Sequence, residues 1–246
     1  MKLLITGCYR SGTTILATML NCHKDIISFN ELGLWNLGVT DCDGWLLEKN
    51  FAGETPKDTL YDLRCKRFPL PSPITTPAIV ELIEENCGPH KVISDKYPNC
   101  TLCLDECTRY VDCVLFLVRN PLEVIESQIR NWRTSDLPEA EKKLRLPWAR
   151  PDTDSCFSVR PNWLDYMQSW ERWKRRKPCL TVLYHRFPDN ATEIADFLGV
   201  DAGTMRAIFK ACFRPVEWPL PSVDLPGEWV DMWRKYALHH DTDHIM

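Results

Sequence analysis

The chain has 246 residues and a formal net charge of −4 at pH 7. This acidic balance excludes a general nucleic-acid binder, whose surface would be strongly basic. No apolar stretch of the sequence is long enough to span a bilayer, and the amino-terminal M-K-L-L-I is too short for the apolar part of a signal peptide. We therefore predict a soluble, cytoplasmic protein with neither a nucleic-acid nor a membrane partner, forming a single domain over residues 1–246.

Short apolar runs alternate with longer segments of helical periodicity along the chain. The runs predict strands at 2–6, 26–29, 91–95, 113–118 and 179–183. The periodic segments predict helices at 12–22, 76–86, 99–109, 121–132, 161–176, 189–198, 202–212 and 226–238. The alternation indicates an α/β fold with a mostly parallel central sheet flanked by helices. Two proline-containing stretches, 33–75 and 134–160, predict irregular insertions.

A glycine-rich turn joins the first strand to the first helix. Residues 7–14 read G-C-Y-R-S-G-T-T, which is the glycine spacing of the phosphate-binding loop G-x-x-x-x-G-K-[ST] with Thr13 in the lysine position. Backbone N–H groups at a helix N-terminus suit an anion, and Arg10 adds guanidinium donors for a differently placed oxyanion. The turn therefore predicts a site for an activated phosphate compound other than a nucleoside triphosphate.

A second candidate anion site follows the strand at 113–118. Pro121 is suited to the first turn of the next helix, so Arg119 at the strand end and Ser127 two turns into the helix could converge on one anion. The alternative is an arginine that caps a loop and a serine on an ordinary helix. The position after a second buried strand favours the anion site.

The carboxyl ends of parallel strands are where ligands bind in open α/β sheets. Four charged residues fall just beyond predicted strand ends, namely Arg10, Glu31, Lys96 and Arg119. We therefore expect them to share one cleft despite their wide separation in the sequence.

These motifs together resemble a known family. The R-S-G-T-T run at 10–14, and the R-N-P run at 119–121 with Ser127 behind it, resemble the sulfotransferases that use 3′-phosphoadenosine 5′-phosphosulfate (PAPS). That family is similar in fold to the P-loop nucleotide kinases, and the resemblance covers about residues 1–31, 90–132 and 180–200. It implies in-line transfer of a sulfuryl group from PAPS to an acceptor hydroxyl or amine, with 3′,5′-ADP as the product and no metal.

The resemblance also implies roles for individual residues. A phosphosulfate-binding loop would consist of Arg10, Ser11, Gly12, Thr13 and Thr14. Arg119 and Ser127 would hold the 3′-phosphate, and Tyr184 would belong to the nucleotide site. Glu31 would be the base, and Lys96 and Arg10 would stabilise the charge that develops during transfer.

The acceptor is left open by the sequence. Tyrosylprotein sulfotransferases are similar around M-L-x-x-H at 19–23 and Glu31, but several glycan sulfotransferases also have a glutamate after this strand. A glycan, a peptide tyrosine and a small metabolite therefore all remain candidates. The insertions at 33–75 and 134–160 are expected to shape the acceptor pocket. The oligomeric state is not indicated by any pattern.

Two other functions fit parts of the sequence. A P-loop phosphotransferase should have a lysine at position 13 and a magnesium-binding aspartate, for which Asp95 is only a weak candidate. A non-catalytic protein that binds 3′,5′-ADP would need Arg10, Arg119 and Ser127 but neither Glu31 nor Lys96. The presence of both favours an enzyme.

Cysteine and tryptophan are both frequent, with 12 and 10 copies. Cys100, Cys103 and Cys107 could in principle bind a metal, but we predict that they pack as reduced thiols on one face of a helix. Helical spacing from Trp163 to Trp173 predicts an aromatic stripe in the core. Trp35, Trp132 and Trp148 stand apart from that stripe, and Trp35 and Trp132 are candidates to line the acceptor or adenine site.

Overall fold

A parallel sheet of five strands forms the centre of the protein, in the order β2-β3-β1-β4-β5. The structure is a computed structural model, and it describes residues 1–31, 33–35, 76–87, 90–214 and 219–239. The strands are β1 (Lys2–Gly7), β2 (Ile26–Asn30), β3 (Val92–Lys96), β4 (Cys113–Val118) and β5 (Cys179–Leu183). All neighbouring strands are parallel, so the predicted fold class is confirmed.

Helices cover both faces of this sheet. They are α1 (Thr13–Asn21), α2 (Thr76–Cys87), α3 (Leu104–Cys107), α4 (Pro121–Thr134), α5 (Glu139–Arg145), α6 (Thr153–Ser158), α7 (Trp163–Trp173), α8 (Phe187–Leu198), α9 (Ala202–Cys212) and α10 (Gly227–His239). Residues of α1, α8 and α9 form the core on one face, and residues of α2, α4, α7 and α10 form the core on the other. Among the helices that the structure describes, none combines the length and apolar composition that crossing a membrane requires.

The inner strand β4 shows why the sheet is buried on both faces. All six of its residues are buried, and its side chains alternate between the two cores. Phe116 stacks on Trp170 of α7, with ring centroids 4.3 Å apart. The stripe from Trp163 to Trp173 is buried as predicted, and α7 begins with a capping box between Asn162 and Asp165.

The predicted helix at 99–109 is wrong as a single α-helix. A 3₁₀ helix spans Pro98–Cys103, α3 covers one turn, and a second 3₁₀ turn spans Thr108–Tyr110. The hydroxyl of Thr101 bonds to that of Thr6 at 2.6 Å and accepts the Gly7 N–H at 3.1 Å. These bonds draw the segment onto the end of β1 and hold it in the tighter winding. Within this irregular segment Cys100 and Cys107 are buried, as expected of core thiols.

The second predicted insertion is more regular than expected. Residues 134–160 include α5 and α6, and the Asp152 side chain caps α6 by accepting the Ser155 N–H at 2.8 Å. Most of the first insertion, residues 36–75, lies outside the described residues. Its described start places Trp35 in the core, where the indole N–H donates to the Leu3 carbonyl at 2.9 Å.

A polar cluster joins α7 to α10 away from the strand ends. The Glu171 carboxylate accepts hydrogen bonds from Lys174 at 2.7 Å and from Lys235 and the Tyr236 hydroxyl. Burial opposes ionisation of Glu171, but these hydrogen bonds outweigh it and lower the pKa of this carboxyl below its ordinary value. The cluster is therefore held together by an ionised glutamate.

Candidate active site

A cleft of about 460 Å³ opens at the carboxyl edge of the sheet. It lies where β1, β2, β3 and β4 end, as the parallel fold predicts. The cleft is lined by every residue proposed for the site except Ser11, namely Arg10, Gly12, Thr13, Thr14, Glu31, Lys96, Arg119, Ser127 and Tyr184. The structure thus brings together residues that are far apart in the sequence.

The turn between β1 and α1 needs both of its glycines. Gly7 has φ 152° and Gly12 has φ 101°. A Cβ on Gly7 would lie 2.6 Å from the Leu117 carbonyl oxygen, and one on Gly12 would lie 2.4 Å from Cδ2 of Tyr184. The glycines therefore let the turn pass close to β4 and to the Tyr184 ring.

The N-terminus of α1 is open to an anion. No side chain caps the helix, and its first turn contains no acidic residue. The first N–H groups of a helix lack intrahelical partners, so here they are available to a ligand in the cleft. Ser11, whose N–H donates to the Cys8 carbonyl at 3.1 Å, is buried behind the turn instead of lining the cleft.

Arg10 and Arg119 place two cations side by side. The Arg10 Nε donates to the Ser127 hydroxyl at 2.8 Å, and Arg119 donates to the Arg10 carbonyl oxygen at 3.1 Å. Burial lowers the pKa of Arg10, and the positive charges of Arg119 and Arg130 lower it further. Ser127 is therefore hydrogen-bonded to Arg10, and Arg119 lines the same cleft beside them.

Arg119 is fixed from several sides. Its Nε donates to the Glu123 carboxylate at 2.6 Å, one turn into α4. Its guanidinium lies 4.1 Å from the Tyr184 ring centroid, within cation–π range. The Trp163 indole N–H donates to its carbonyl at 3.3 Å. The Arg119 side chain is thus held in position before any ligand binds.

An ion pair between Glu31 and Lys96 also lines the cleft. Lys96 Nζ lies 2.5 Å from Glu31 Oε1, and the Glu31 N–H donates to the Lys96 carbonyl at 2.7 Å. The pair forms because β2 and β3 are neighbours and both residues stand at their carboxyl ends. The Lys96 side chain is 3% exposed, whereas that of Glu31 is 43% exposed. The carboxylate is therefore the member of the pair that the cleft presents to a ligand.

Arg10 and Glu31 have unusual backbones. Their φ angles are 72° and 59°, and they are the two non-glycine residues with positive φ among those described. Non-glycine residues in this region are uncommon, and such strained positions cluster at functional sites. Both are site residues that the sequence analysis predicts from their positions just beyond strand ends.

Two aromatic residues of the cleft were not predicted. Tyr9 stacks on Trp148 with centroids 5.6 Å apart, and the Arg10 guanidinium lies 5.4 Å from the Trp148 ring. Burial raises the pKa of Tyr9, and the charge of Glu31 raises it further. Trp148 comes from the second insertion, which the sequence analysis expects to shape the acceptor pocket, but no motif there indicates this particular residue.

The tryptophans selected from the sequence do not line the cleft. Trp35 is in the core, and Trp132 is buried, with the Lys142 ammonium 5.9 Å from its ring centroid. The expectation for both is therefore wrong, because Trp35 packs in the core and Trp132 lies against Lys142 of the neighbouring helix α5. In the part of the chain that the structure describes, no group of three or more His, Cys, Asp or Glu side chains is placed to hold a metal ion.

Comparison with known proteins identifies the family. A sequence model of the Sulfotransferase family matches residues 3–212. The structure of a sulfotransferase from Mycobacterium avium has a TM-score of 0.53 at 13% identity, with 97% of this chain and 76% of that chain covered. One from Alicyclobacillus acidocaldarius has a TM-score of 0.46 at 14% identity, with 96% and 91% covered.

A mouse sulfotransferase complexed with PAP has a TM-score of 0.47 at 17% identity, with 86% of this chain and 64% of that chain covered. No curated protein sequence matches the chain significantly. The M. avium structure supports the shared fold, and the family match extends from β1 through α9. The chain therefore belongs to the sulfotransferase family.

Proposed function

We propose that the chain transfers a sulfuryl group from PAPS to an acceptor hydroxyl or amine, with Glu31 as the general base. The observation that carries this proposal is the Glu31–Lys96 ion pair at 2.5 Å, which lines the same cleft as the anion-binding turn. A site that only bound nucleotide would need the turn but would have no use for a half-exposed carboxylate beside it.

The donors of the cleft fit the two anionic ends of PAPS. The open N-terminus of α1 and the Arg10 guanidinium would hold the phosphosulfate, and Arg119 and Ser127 would hold the 3′-phosphate. Tyr184 would support both through its contacts with the turn and with Arg119. When bound, PAPS supplies the sulfuryl group, which passes in line to the acceptor as 3′,5′-ADP leaves.

Glu31 accounts for the proton in this reaction. As the acceptor oxygen or nitrogen forms its bond to sulfur, its proton moves to the Glu31 carboxylate. The electron pair of the broken sulfur–oxygen bond stays on the 5′-phosphate oxygen, where negative charge develops. Lys96 and Arg10, which both line the cleft, would offset that charge. Since Lys96 already bonds Glu31, it also holds the base in place.

The kinase-like alternative is disfavoured by two positions. Thr13 replaces the lysine that contacts the β- and γ-phosphates of nucleoside triphosphates. Asp95 is buried, and its carboxylate accepts the Leu34 N–H at 2.9 Å, so it is engaged in holding the chain after β2. A magnesium-dependent phosphoryl transfer is therefore disfavoured, because the loop lysine is replaced and Asp95 is engaged in a structural hydrogen bond.

Calorimetric titration without magnesium tests the nucleotide site. We expect 3′,5′-ADP to bind and ATP to bind far more weakly, since the cleft has cations for a 3′-phosphate and no loop lysine for a triphosphate. A preference for ATP, or no binding of either nucleotide, would contradict the proposal.

A Glu31→Gln variant tests catalysis separately. We expect turnover to fall by about 10²–10⁴-fold, the usual contribution of a general base, while the Kd for 3′,5′-ADP is unchanged. Glu141→Gln, on exposed α5, is the matched control and should keep full turnover. A wild-type protein that binds 3′,5′-ADP but transfers no sulfuryl group to any glycan, tyrosine peptide or small hydroxyl acceptor would be a binding module.

A further inference from the structure

A second, smaller cavity of about 130 Å³ adjoins the cleft. The two share Tyr9 and Trp148, whose rings stack with centroids 5.6 Å apart and line both spaces. Tyr9 lines both spaces, Glu31 lines the cleft and Asn99, which hydrogen-bonds the Tyr9 phenol, lines the small cavity. A molecule whose reactive hydroxyl lies near Glu31 could therefore extend past Tyr9 into this cavity.

A buried cation, Arg150, lines the cavity. Arg150 is 6% exposed, and its guanidinium donates to the carbonyl oxygens of Pro147, Ala149 and Pro161. A guanidinium has five N–H donors, so these three bonds leave two donors. Nη1 makes two of these bonds and Nη2 makes one, so the Nε–H and one Nη2 N–H remain for an oxyanion such as a carboxylate.

The charge of Arg150 has no acidic partner among the residues that the structure describes. Burial lowers the pKa of Arg150, and the groups that oppose this shift are Cys156, Tyr166 and Cys8. No carboxylate of the described residues forms an ion pair with Arg150. Burial raises the pKa of each of these three groups, so all are neutral at pH 7. A buried charge is costly unless it is paired, which makes Arg150 an unusual residue to place beside an open cavity.

Two further donors face the same space. The Tyr166 hydroxyl lines the cavity and has no hydrogen-bond partner among the described residues. Gln128 also lines it, and because its side-chain oxygen accepts the Cys156 thiol at 3.6 Å, its NH₂ group is the one left for a ligand. Among its described lining residues, the cavity therefore offers a cation and neutral donors and no acidic group.

We infer that this cavity binds a carboxylate of the acceptor, so that the substrate is a hydroxy acid anchored by Arg150. The inference rests on the proposed sulfuryl transfer, because it assigns the cavity to the acceptor. The carboxylate bonds Arg150 and Tyr166, the body of the acceptor lies against Tyr9 and Trp148, and the hydroxyl reaches Glu31. Acceptors of this shape without the carboxylate leave the guanidinium buried and unpaired.

The test compares 4-hydroxyphenylacetate with its neutral, nearly isosteric amide, 4-hydroxyphenylacetamide. Each is titrated calorimetrically into protein saturated with 3′,5′-ADP, which fills the anion sites at Arg10 and Arg119. We expect the acid to bind at least about tenfold more tightly than the amide, since it gains a charge-assisted hydrogen-bonded pair. Equal binding of the two compounds overturns the inference.

Variants locate that preference. In Arg150→Gln we expect acid and amide to bind alike, whereas Arg145→Gln, at an exposed arginine of α5, should keep the wild-type preference. Tyr166→Phe removes one hydroxyl and keeps the ring, so it tests the cavity even if loss of the three carbonyl bonds prevents Arg150→Gln from folding. We expect it to reduce the preference several-fold without changing the Kd for 3′,5′-ADP. An acid preference that survives both variants contradicts the inference.

The two proposals fail in different ways. If 3′,5′-ADP does not bind, the proposed function fails, and the same acid–amide comparison on the free protein and on the Tyr166→Phe variant still decides whether the cavity selects a carboxylate. If 3′,5′-ADP binds and the acid is not preferred, the inference about the acceptor fails while the nucleotide site stands.

Discussion

The Glu31–Lys96 pair should respond unequally to removal of its two members. Lys96 is 3% exposed and Glu31 is 43% exposed, so the two charges differ in their access to water. Glu31→Gln leaves a buried ammonium opposite a neutral amide, whereas Lys96→Met leaves a carboxylate that water can reach. Breaking a fully buried pair costs about 3–5 kcal/mol, and the remaining amide oxygen should reduce this to about 2 kcal/mol for Glu31→Gln. For Lys96→Met we expect about 1 kcal/mol or less, as for pairs near the surface.

Urea unfolding without nucleotide measures this difference. The two variants should unfold with the wild-type m-value and differ by about 1 kcal/mol or more in the free energy of unfolding. The exposed pair of Glu141 and Arg145 is the control, because both side chains reach water and removal of either should cost about 0.5 kcal/mol or less. If Lys96→Met destabilises the protein as much as Glu31→Gln, the reasoning from exposure is wrong.

Three further changes have defined outcomes. Gly12→Ala should weaken 3′,5′-ADP binding at least about tenfold in calorimetry, because the new Cβ at φ 101° would lie 2.4 Å from an aromatic carbon; unchanged binding would show that the turn can move aside. Ser127→Ala should weaken 3′,5′-ADP about tenfold and leave 5′-AMP unaffected, since only the first has a 3′-phosphate; equal losses would remove Ser127 from that phosphate. Because the folded pKa of Glu171 is depressed, its contribution to stability is complete above its unfolded value near 4.5 and is lost as pH falls through the folded pKa. Glu171→Gln should therefore flatten the acid limb of urea stability measured from pH 6 to pH 3, and an unchanged limb would exclude this carboxylate as a cause.

The sheet could be predicted because its strands are short, apolar and buried on both faces. β4 is the plainest case, since its six residues have no polar side chain to suggest any other environment. The cleft could be predicted for a related reason. Once the strands are parallel, Glu31 and Lys96 stand at the same edge of the sheet, and they meet there because β2 and β3 are neighbours.

What could not be predicted depends on contacts between distant segments. The 3₁₀ winding at Pro98–Cys103 is set by hydrogen bonds from Thr101 to the end of β1, and nothing within the segment itself indicates them. Trp148 and Arg150 lie in an insertion without a recognisable motif, so their places beside Tyr9 follow only from the folded chain. Trp35 follows Glu31 in the sequence and Trp132 ends the helix that carries Ser127, which made both candidates for the cleft, but both are buried elsewhere.

Tyr184 touches the backbone of the turn at Gly12 with one part of its ring and the Arg119 guanidinium with its face. One rigid six-membered ring thus acts as a spacer between the two places where negative charge is expected. In the proposed site, the ring would favour a ligand whose two anionic groups lie on either side of it. The site would then select its nucleotide by the separation of the two anionic groups, independently of any contact with the base.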